Sequence, residues 1–285
     1  MKLITLTSDM GLNDHYVAAL KASIISKDEE VRIIDISHAI LPFDVGQAAF
    51  FLNSCISEFP KGTVHLVCLD GEPIVNFGGY DGSYPCILQF QGQYIVSNDN
   101  GFFGAFIGEN EFEKLWRIED VLSNPRLFKF PSKNMLVPVA LRILNGEKLE
   151  NFASEVDQYR SALVETAIIK ENLILGSVVY IDSYGNAITN IHQSLFEKVG
   201  QNHPFTIHFR NKDYYLDFIS NTYNEVPPGE KVAIFNEKGF IEIAINRGAN
   251  KGAGGANTLF GITKNQKIRV EFLPPGSKET LDQLF

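Results

Sequence analysis

The chain has 285 residues, of which 45% are hydrophobic and 21% are charged. This length suits two domains, and the composition is that of a globular protein with ample material for a core. The net charge of -9 argues against non-specific nucleic-acid binding, which needs clustered Lys and Arg to neutralise phosphates.

The sequence gives no support for a membrane-spanning segment or a metal site. The chain turns polar soon after its apolar start, and no apolar stretch approaches the roughly 18 residues that span a bilayer. Cys55, Cys68 and Cys86 lack C-x-x-C spacing, which favours buried thiols in a reducing compartment. The histidines form no ligand motif. We therefore expect a soluble cytoplasmic protein with no metal, no cofactor and no membrane partner.

The first half of the chain alternates between strand-like and helix-like runs. Residues 3–6, 31–36 and 63–69 are predicted strands, and residues 14–25 and 45–56 are predicted helices. Asn13 or Asp14 is expected to cap the first helix. Such alternation predicts a mostly parallel sheet covered by helices. Two runs that flank Gln91-Gly92-Gln93 predict a hairpin at one edge of the sheet, and residues 135–144 predict a closing helix.

The second half has a different sequence pattern. Short β-rich runs are separated by turn residues, and helical periodicity is nearly absent; the runs are 173–181, 205–209, 214–218, 231–235, 240–245 and 267–272. This pattern predicts an antiparallel sheet or small barrel. We therefore expect an α/β N-terminal domain over 1–150, a linker over 151–171 and a β-rich C-terminal domain over 172–285.

Two carboxylates follow predicted strands of the first half. Asp9 and Asp70 stand where ligands of open α/β sheets bind, outside the carboxyl ends of strands. Asp9 can accept two hydrogen bonds from the vicinal hydroxyls of a ribose, or it can simply cap a turn beside Gly11. Asp14 can cap the following helix or meet a ligand ammonium at the helix mouth.

Another group of polar residues lies in the second half, in the segment Asp182-Ser183-Tyr184-Gly185-Asn186. The amide of Asn186 offers a donor and an acceptor that match the N7 and N6 edge of adenine, and Tyr184 can stack on the same base. The alternative is an ordinary hairpin turn. The glycine-rich tract 246–255 is not a phosphate loop, and we interpret it as a flexible turn region.

Taken together, the motifs resemble the S-adenosyl-L-methionine hydrolase (adenosine-forming) family, whose relatives include the fluorinase and chlorinase. The resemblance runs nearly end to end. It is carried by TSDMG at 7–11, DISH at 35–38, PFD at 42–44, FPKGTVH at 59–65, NDNG at 98–101, PVA at 138–140, IDSYGN at 181–186 and TNI at 189–191.

The resemblance implies an assembly as well as a fold. It implies a homotrimer that binds a small nucleoside ligand between one subunit's N-terminal domain and a neighbour's C-terminal domain. By position, Asp9 resembles the carboxylate that binds the ribose diol, and Phe43 an apolar wall against the sugar. Asp14 and Asp182 resemble the partners of the methionine ammonium.

The same comparison by position implies the remaining substrate contacts. Tyr184 and Tyr223 resemble the aromatics that flank adenine, with Asn186 on the base edge. Glu237 and Lys238 fall where relatives contact the methionyl group, and the backbone of Arg247 falls near adenine.

The chain departs from the family at the reactive end. Hydrolases of this kind are expected to hold the attacking water with an Asp, an Arg seven residues later, and a His just before the Pro-Val-Ala helix. Here Asp70 stands at the first position, but Phe77 and Pro131 occupy the other two. Lys133 offers a replacement positive charge.

Three hypotheses follow from these residues. The first is a protein that binds S-adenosylmethionine and retains slow hydrolysis to adenosine and L-methionine, with Asp70 orienting the water. The second is a catalytically inactive nucleoside-binding or sensing protein. The third is an assembly protein whose pocket has decayed.

Overall fold

The structure is a computed structural model that describes residues 1–74, 82–108, 111–118, 124–162, 165–210, 214–249 and 254–273. The chain divides into two compact units, Met1–Val164 and Glu165–Phe285. The division falls inside the segment predicted as a linker, but that segment is not structureless. It contains strand β7 (Ala153–Val156) of the first sheet and strand β8 (Ile168–Lys170) of the second. Both strands are only three or four residues long, which is too short to give a clear alternating pattern.

The described residues of the first unit form a seven-stranded sheet in the order β2-β1-β3-β5-β4-β6-β7. Its other strands are β1 (Leu3–Ser8), β2 (Arg32–Ser37), β3 (Val64–Cys68), β4 (Pro85–Phe90), β5 (Gln93–Asn98) and β6 (Lys114–Ile118). The β1 strand pairs in parallel with β2 and β3, and β3 pairs in parallel with β5. The predicted mostly parallel sheet is therefore confirmed.

The predicted hairpin exists, but its place in the sheet differs from the prediction. Strands β4 and β5 pair antiparallel around Gln91-Gly92. However, β6 and β7 continue the sheet beyond β4, so the hairpin is internal and its prediction as an edge is wrong. The cause is the unrecognised strand β6, whose Leu115 and Trp116 bury their side chains although Lys114 and Arg117 interrupt the apolar pattern.

Helices cover both faces of this sheet. They are α1 (Tyr16–Ile25), α2 (Val45–Cys55), α3 (Phe102–Ile107) and α4 (Val137–Leu144), with a π-helical turn (Ser132–Leu136) before α4 and single 3₁₀ turns at Ile56–Glu58, Pro125–Lys129 and Leu149–Asn151. Alternate residues of β3 point into two separate cores: Leu66 belongs to one and Val67 to the other. A strand that buries both faces in this way is typical of a parallel sheet between helix layers.

The helix starts follow different local chemistry. Helix α2 begins as predicted, because Asp44 Oδ1 accepts a hydrogen bond from Gln47 N at 2.9 Å. Helix α1 begins only at Tyr16, and its N-cap position is His15, which makes no side-chain capping bond. The predicted cap by Asn13 or Asp14 is therefore wrong, and the side chain of Asp14 remains exposed beside the site.

The second unit is an antiparallel sheet, as predicted. Its described strands follow the order β12-β11-β15-β9-β10-β14-β13, with β8 added against β9. They are β9 (Leu173–Ile181), β10 (Ala187–His192), β11 (Phe205–His208), β12 (Tyr215–Leu216), β13 (Lys231–Phe235), β14 (Phe240–Ile245) and β15 (Lys267–Phe272), with helices α5 (Gln193–Gly200) and α6 (Ala256–Phe260) and a 3₁₀ turn at Tyr223–Glu225. A bridge between Ser220 and Ile234 joins the two ends of this order, so the sheet curls towards a barrel.

Within the described ranges, no helix is long and apolar enough to cross a membrane. Cys68 and Cys86 are buried thiols that form no disulfide.

Candidate functional site

Asp9 and Asp70 meet at one edge of the first sheet. They directly follow β1 and β3, which are parallel neighbours in a register that aligns Ser8 with Cys68. A cavity of about 290 Å³ opens at this edge, which we call the first-unit cavity. It is lined by Asp9, Met10, Asp14, Tyr16, Cys68, Asp70, Gly71, Lys129, Phe130, Pro131 and Ser132. The structure therefore brings together the three carboxylates that the sequence singles out in this unit.

The turn that carries Asp9 is fixed from two sides. Ser8 Oγ and His38 Nδ1 lie 2.7 Å apart in a buried hydrogen bond, and Gly11 N donates to the His38 carbonyl at 2.8 Å. Gly11 has a φ of +67°, which a glycine adopts without strain. On the other side, Asp9 Oδ2 accepts from Phe43 N at 3.1 Å. The carboxylate of Asp9 is thus oriented by backbone groups.

The role of Phe43 as an apolar wall against the sugar stays a prediction. Its ring is 70% exposed and is not among the residues that line the first-unit cavity. Its backbone, at a φ of +64°, supplies the N–H that orients Asp9. Within this unit, Phe43 therefore contacts the site through its main chain.

Two asparagines of the NDNG motif at 98–101, to which the sequence analysis assigned no role, hold the Asp70 turn. Asn98 Nδ2 donates to the carbonyls of Asp70 (3.1 Å) and Glu72 (3.4 Å). Asn100 Nδ2 donates to the carbonyls of Leu69 (2.9 Å) and Asp70 (3.3 Å). Asp70 itself has a φ of +37° and is exposed. Since Asn98 ends the neighbouring parallel strand β5, the available signal was its position at the same sheet edge.

The far wall of the cavity is the segment before α4. Pro131, at the position where the resemblance expects a histidine, lies so close to Gly71 that a Cβ on Gly71 would be 3.3 Å from the Pro131 Cβ. Lys129 lines the cavity, whereas Lys133 is not among the lining residues and its Nζ lies 5.5 Å from the centroid of the Phe130 ring. Phe77 falls outside the described residues.

The one thiol of the cavity is not a nucleophile. Burial raises the pKa of Cys68 to about 12, opposed by a hydrogen bond with Ser132 and reinforced by the charge of Asp9. A thiol with this pKa is protonated at neutral pH. The carboxylates of Asp9, Asp14 and Asp70 are therefore the acidic groups with which this cavity can act on a ligand.

In the second unit, Asp182 to Asn186 form the turn between β9 and β10. Asp182 Oδ1 accepts from Tyr184 N (2.9 Å) and Asn186 N (2.8 Å), and its Oδ2 accepts from Asn186 Nδ2 (3.0 Å). Gly185 has a φ of +87°. The segment is thus a hairpin turn that presents the ring of Tyr184, with 62% of the residue exposed, and its role toward adenine stays a prediction.

The end of the glycine-rich tract packs against this turn. A Cβ on Gly255 would lie 2.3 Å from the Tyr184 carbonyl oxygen, and Asn257 N donates to the Gly185 carbonyl at 2.9 Å. Gly255 is therefore required for close approach, and the interpretation as a mere flexible turn is wrong for this part. Arg247 begins the tract with a φ of +57° and is exposed.

A buried carboxylate that the sequence reasoning missed lies beside the turn. Glu242 of β14 is 5% exposed, and its Oε1 accepts from the Tyr223 hydroxyl at 2.5 Å. Burial raises the pKa of Glu242, and hydrogen bonds from Tyr223, Asn186 and Asn236 oppose that shift. The signal was an acidic residue inside the apolar run FIEIAI. We call Asp182, Tyr184, Asn186, Tyr223 and Glu242 the second-unit cluster.

Glu237 and Lys238 lie in the turn between β13 and β14. Asn236 Oδ1 closes this turn by accepting from Lys238 N and Phe240 N, both at 3.1 Å. Neither residue belongs to the second-unit cluster, and their roles toward a methionyl group stay a prediction.

The fold and these two groups of residues define a class: an α/β unit with carboxylates at adjacent strand ends, followed by an antiparallel unit with an aromatic and amide turn. Residues 4–153 match the model of the SAM hydroxide adenosyltransferase N-terminal domain, and residues 176–269 match that of its C-terminal domain. The chain belongs to this family, which confirms the resemblance.

Similar proteins cover most of the chain. An (R)-S-adenosyl-L-methionine hydrolase from Methanocaldococcus jannaschii is 27% identical over 257 residues, which are 86% of this chain and 88% of the relative. A fluorinase from Nocardia brasiliensis is 24% identical over 86% of this chain and 90% of the relative. The crystal structure of an uncharacterized conserved protein from Thermotoga maritima matches with a TM-score of 0.79 and 26% identity, covering 94% of this chain and 99% of that one.

Proposed function

We propose that this protein binds S-adenosyl-L-methionine and hydrolyses it to adenosine and L-methionine. One observation carries the proposal: Asp9 and Asp70 follow neighbouring parallel strands and line the same cavity. A ribose diol and an attacking water each need a carboxylate, and the two must lie near each other because C5′ is close to the diol. The name of the (R)-S-adenosyl-L-methionine hydrolase relative points to the same substrate.

The reaction requires little of the protein beyond positioning the water and the substrate. The sulfonium substrate already carries methionine as a good leaving group. The water oxygen forms a bond to C5′ while the C5′–S bond breaks and its electron pair passes to sulfur. The water proton passes to the carboxylate of Asp70 and then to solvent. Alignment of this kind supplies several kcal/mol of the barrier.

Each carboxylate has a defined task in this scheme. Asp9, oriented by Phe43 N, binds the two ribose hydroxyls through charge-assisted hydrogen bonds. Asp70 is exposed on a turn held by Asn98 and Asn100, so it is positioned by its backbone and remains accessible to water. Asp14, at the same cavity, suits the methionine ammonium.

The second-unit cluster supplies the purine part of the proposal. Tyr184 and Tyr223 offer aromatic faces, and Asn186 offers a polar edge. The family resemblance further implies a homotrimer in which neighbouring subunits share each ligand site, and we include this assembly in the proposal. Light scattering in solution should then give three times the mass of one chain; a monomer would contradict the shared site.

The test of the activity is direct. The protein is incubated with S-adenosylmethionine, and adenosine and methionine are separated by chromatography. We expect both products in equal amounts, faster than in buffer or with heat-denatured protein. The Asp9→Asn variant should weaken substrate binding roughly 10- to 100-fold, since it loses charge-assisted hydrogen bonds. Asp157→Asn, an exposed acid of the same unit outside the cavity, should behave like the parent.

A second candidate function is a nucleoside-binding or sensing protein without catalysis. It is favoured by Pro131, which stands on the cavity wall where the family places a histidine. It predicts that calorimetry detects binding of S-adenosylmethionine and that the chromatogram stays at the buffer rate. Turnover above that rate excludes it.

A further inference from the structure

His38 contacts the turn that carries Asp9 on both sides of this residue. It directly follows β2, the parallel neighbour of β1. Its side chain reaches the residue before Asp9, since His38 Nδ1 lies 2.7 Å from Ser8 Oγ. Its carbonyl accepts from Gly11 N, two residues after Asp9, at 2.8 Å. Ser8 is fully buried and His38 is 5% exposed, so water has little access to the contact between their side chains.

The surroundings of the imidazole assign its tautomer. Asp35 Oδ1 lies 3.2 Å from His38 Nε2, and Asp35 Oδ2 accepts from Lys21 Nζ at 2.5 Å. The contact with Nε2 lacks the alignment of a hydrogen bond, so it acts as an electrostatic attraction. A bare lone pair on Nε2 would be repelled by this carboxylate. In the neutral ring Nε2 therefore carries the hydrogen, and Nδ1 carries the lone pair.

This tautomer fixes the direction of the Ser8 hydroxyl. Because His38 Nδ1 has a lone pair, Ser8 O–H donates the 2.7 Å bond. The same oxygen accepts from Met10 N, the residue after Asp9, at 3.3 Å. A hydrogen-bond chain thus runs from Met10 N–H through Ser8 O–H to His38 Nδ1. Without the acceptor at Nδ1, the buried hydroxyl would lose its partner and would be free to rotate away from Met10 N.

We propose that His38 is a positioning residue that fixes the carboxylate of Asp9 for the two ribose hydroxyls by holding Ser8. This inference rests on the proposed function, which assigns the ribose diol to Asp9. Two hydrogen bonds to one carboxylate need a fixed orientation, because each weakens steeply when its angle is poor. Phe43 N holds Asp9 Oδ2, and the bond between His38 and Ser8 holds the backbone from which Asp9 extends. Neither His38 nor Ser8 lines the first-unit cavity, so both act through Asp9.

Calorimetry of the parent protein with two nucleosides measures how much the diol contributes. Adenosine carries both ribose hydroxyls, and 2′,3′-dideoxyadenosine carries neither. We expect dideoxyadenosine to bind roughly 10- to 100-fold more weakly, since it forms no charge-assisted hydrogen bonds with Asp9. Failure of adenosine and S-adenosylmethionine alike to bind would overturn the proposed function. Binding of S-adenosylmethionine with equal affinity for the two nucleosides would overturn this inference alone.

Two substitutions at His38 separate positioning from packing. In His38→Asn, the amide oxygen takes the place of Nδ1 and accepts from Ser8. In His38→Gln, the amide lies near the place of Nε2 and leaves Ser8 without its acceptor. We expect the ratio of dideoxyadenosine to adenosine dissociation constants to fall roughly fivefold or more in His38→Gln, through weaker adenosine binding, and to stay within about twofold of the parent in His38→Asn. A parent ratio in both variants, or the same fall in both, would contradict the proposal.

Ser8→Ala tests the same bond from its other partner and does not depend on the folding of the His38 variants. It should lower the ratio by at least as much as His38→Gln does. The double variant should show no further fall beyond Ser8→Ala, because both substitutions remove one bond. Independent, additive effects would overturn the proposal. Ser26→Ala, an exposed serine of the same unit outside the cavity, is the matched control and should keep the parent ratio.

Discussion

The first-unit cavity and the second-unit cluster position polar groups in opposite ways. In the cavity, Asp14 and Asp70 are exposed, and the backbone turns that carry the carboxylates are fixed by Ser8, Asn98 and Asn100. In the cluster, Asn186 and Glu242 are buried, and other side chains of the cluster pair with them: Asn186 Nδ2 donates to Asp182, and the Tyr223 hydroxyl donates to Glu242. We therefore expect the exposed carboxylates of the cavity to be replaceable with little loss of stability, whereas changes at the buried residues of the cluster should destabilise the fold.

Asp70→Asn should separate activity from stability most clearly. The variant keeps the shape of the side chain but loses the charge that orients water and accepts its proton. We expect turnover to fall by roughly 10²–10³, the usual effect of removing a key polar contact. The thermal midpoint should stay within about 1 °C of the parent, since an exposed side chain contributes little to stability. A large drop in the midpoint would show that the cavity is not built as described.

Gly255→Ala should damage the second unit. The added Cβ would lie 2.3 Å from the Tyr184 carbonyl oxygen, so the turn must move. We expect a loss of about 3 kcal/mol in the free energy of unfolding, the upper part of the range for overpacking. Gly46→Ala is the matched control: within α2 its Cβ would meet only an Asp44 side-chain oxygen at 3.6 Å, and the variant should be at least as stable as the parent. Equal stability of both variants would contradict the close packing at Gly255.

A buried histidine on the strand that carries Asp70 should make stability depend on pH. His65 Nδ1 lies 2.7 Å from Thr5 Oγ1, and Nε2 lies 2.8 Å from Gln93 Oε1. Gln93 Nε2 donates to the Ile56 carbonyl, so Nε2–H of His65 donates to Gln93 and Nδ1 accepts from Thr5. Burial lowers the pKa of His65 to about 4, against a hydrogen bond with Gln93 that raises it.

The direction in which stability changes with pH follows from the lowered pKa of His65. The unfolded chain binds a proton near pH 6.5 and the folded chain only near pH 4, so this contribution to stability is complete above pH 6.5 and is lost as pH falls towards 4. Urea unfolding should give about 2 kcal/mol less stability at pH 5 than at pH 7.5 from this group. In His65→Gln, which keeps a donor and an acceptor, the pH-dependent part should shrink by that amount. An unchanged pH profile would refute the assignment.

Local sequence patterns predicted much of the fold because some strands have a clear hydrophobic pattern. Strands β13, β14 and β15 begin and end at the predicted residues, since each is a compact apolar or alternating run between turn residues. Strand β10 was missed because Thr189 and Asn190 make it look like a turn. In the structure Asn190 Oδ1 accepts from Ser177 N, so a polar side chain supports the pairing with β9.

The candidate site was predictable only where sequence position fixes spatial position. Asp9 and Asp70 each follow a strand, and parallel neighbours must bring such residues to one edge. The contacts of Asn98 and Glu242 were missed because their partners lie 28 and 19 residues away along the chain, and only sheet pairing brings them together. The place of the β4–β5 hairpin within the sheet was likewise set by strands that lack a local signal.

Hydrolysis in water enriched in ¹⁸O, followed by mass spectrometry of both products, tests whether water attacks C5′. If water activated at Asp70 attacks C5′, the adenosine formed gains one ¹⁸O atom in its 5′-hydroxyl and the methionine gains none. Adenosine without the label, or no adenosine above the buffer rate, would contradict hydrolysis at the first-unit cavity.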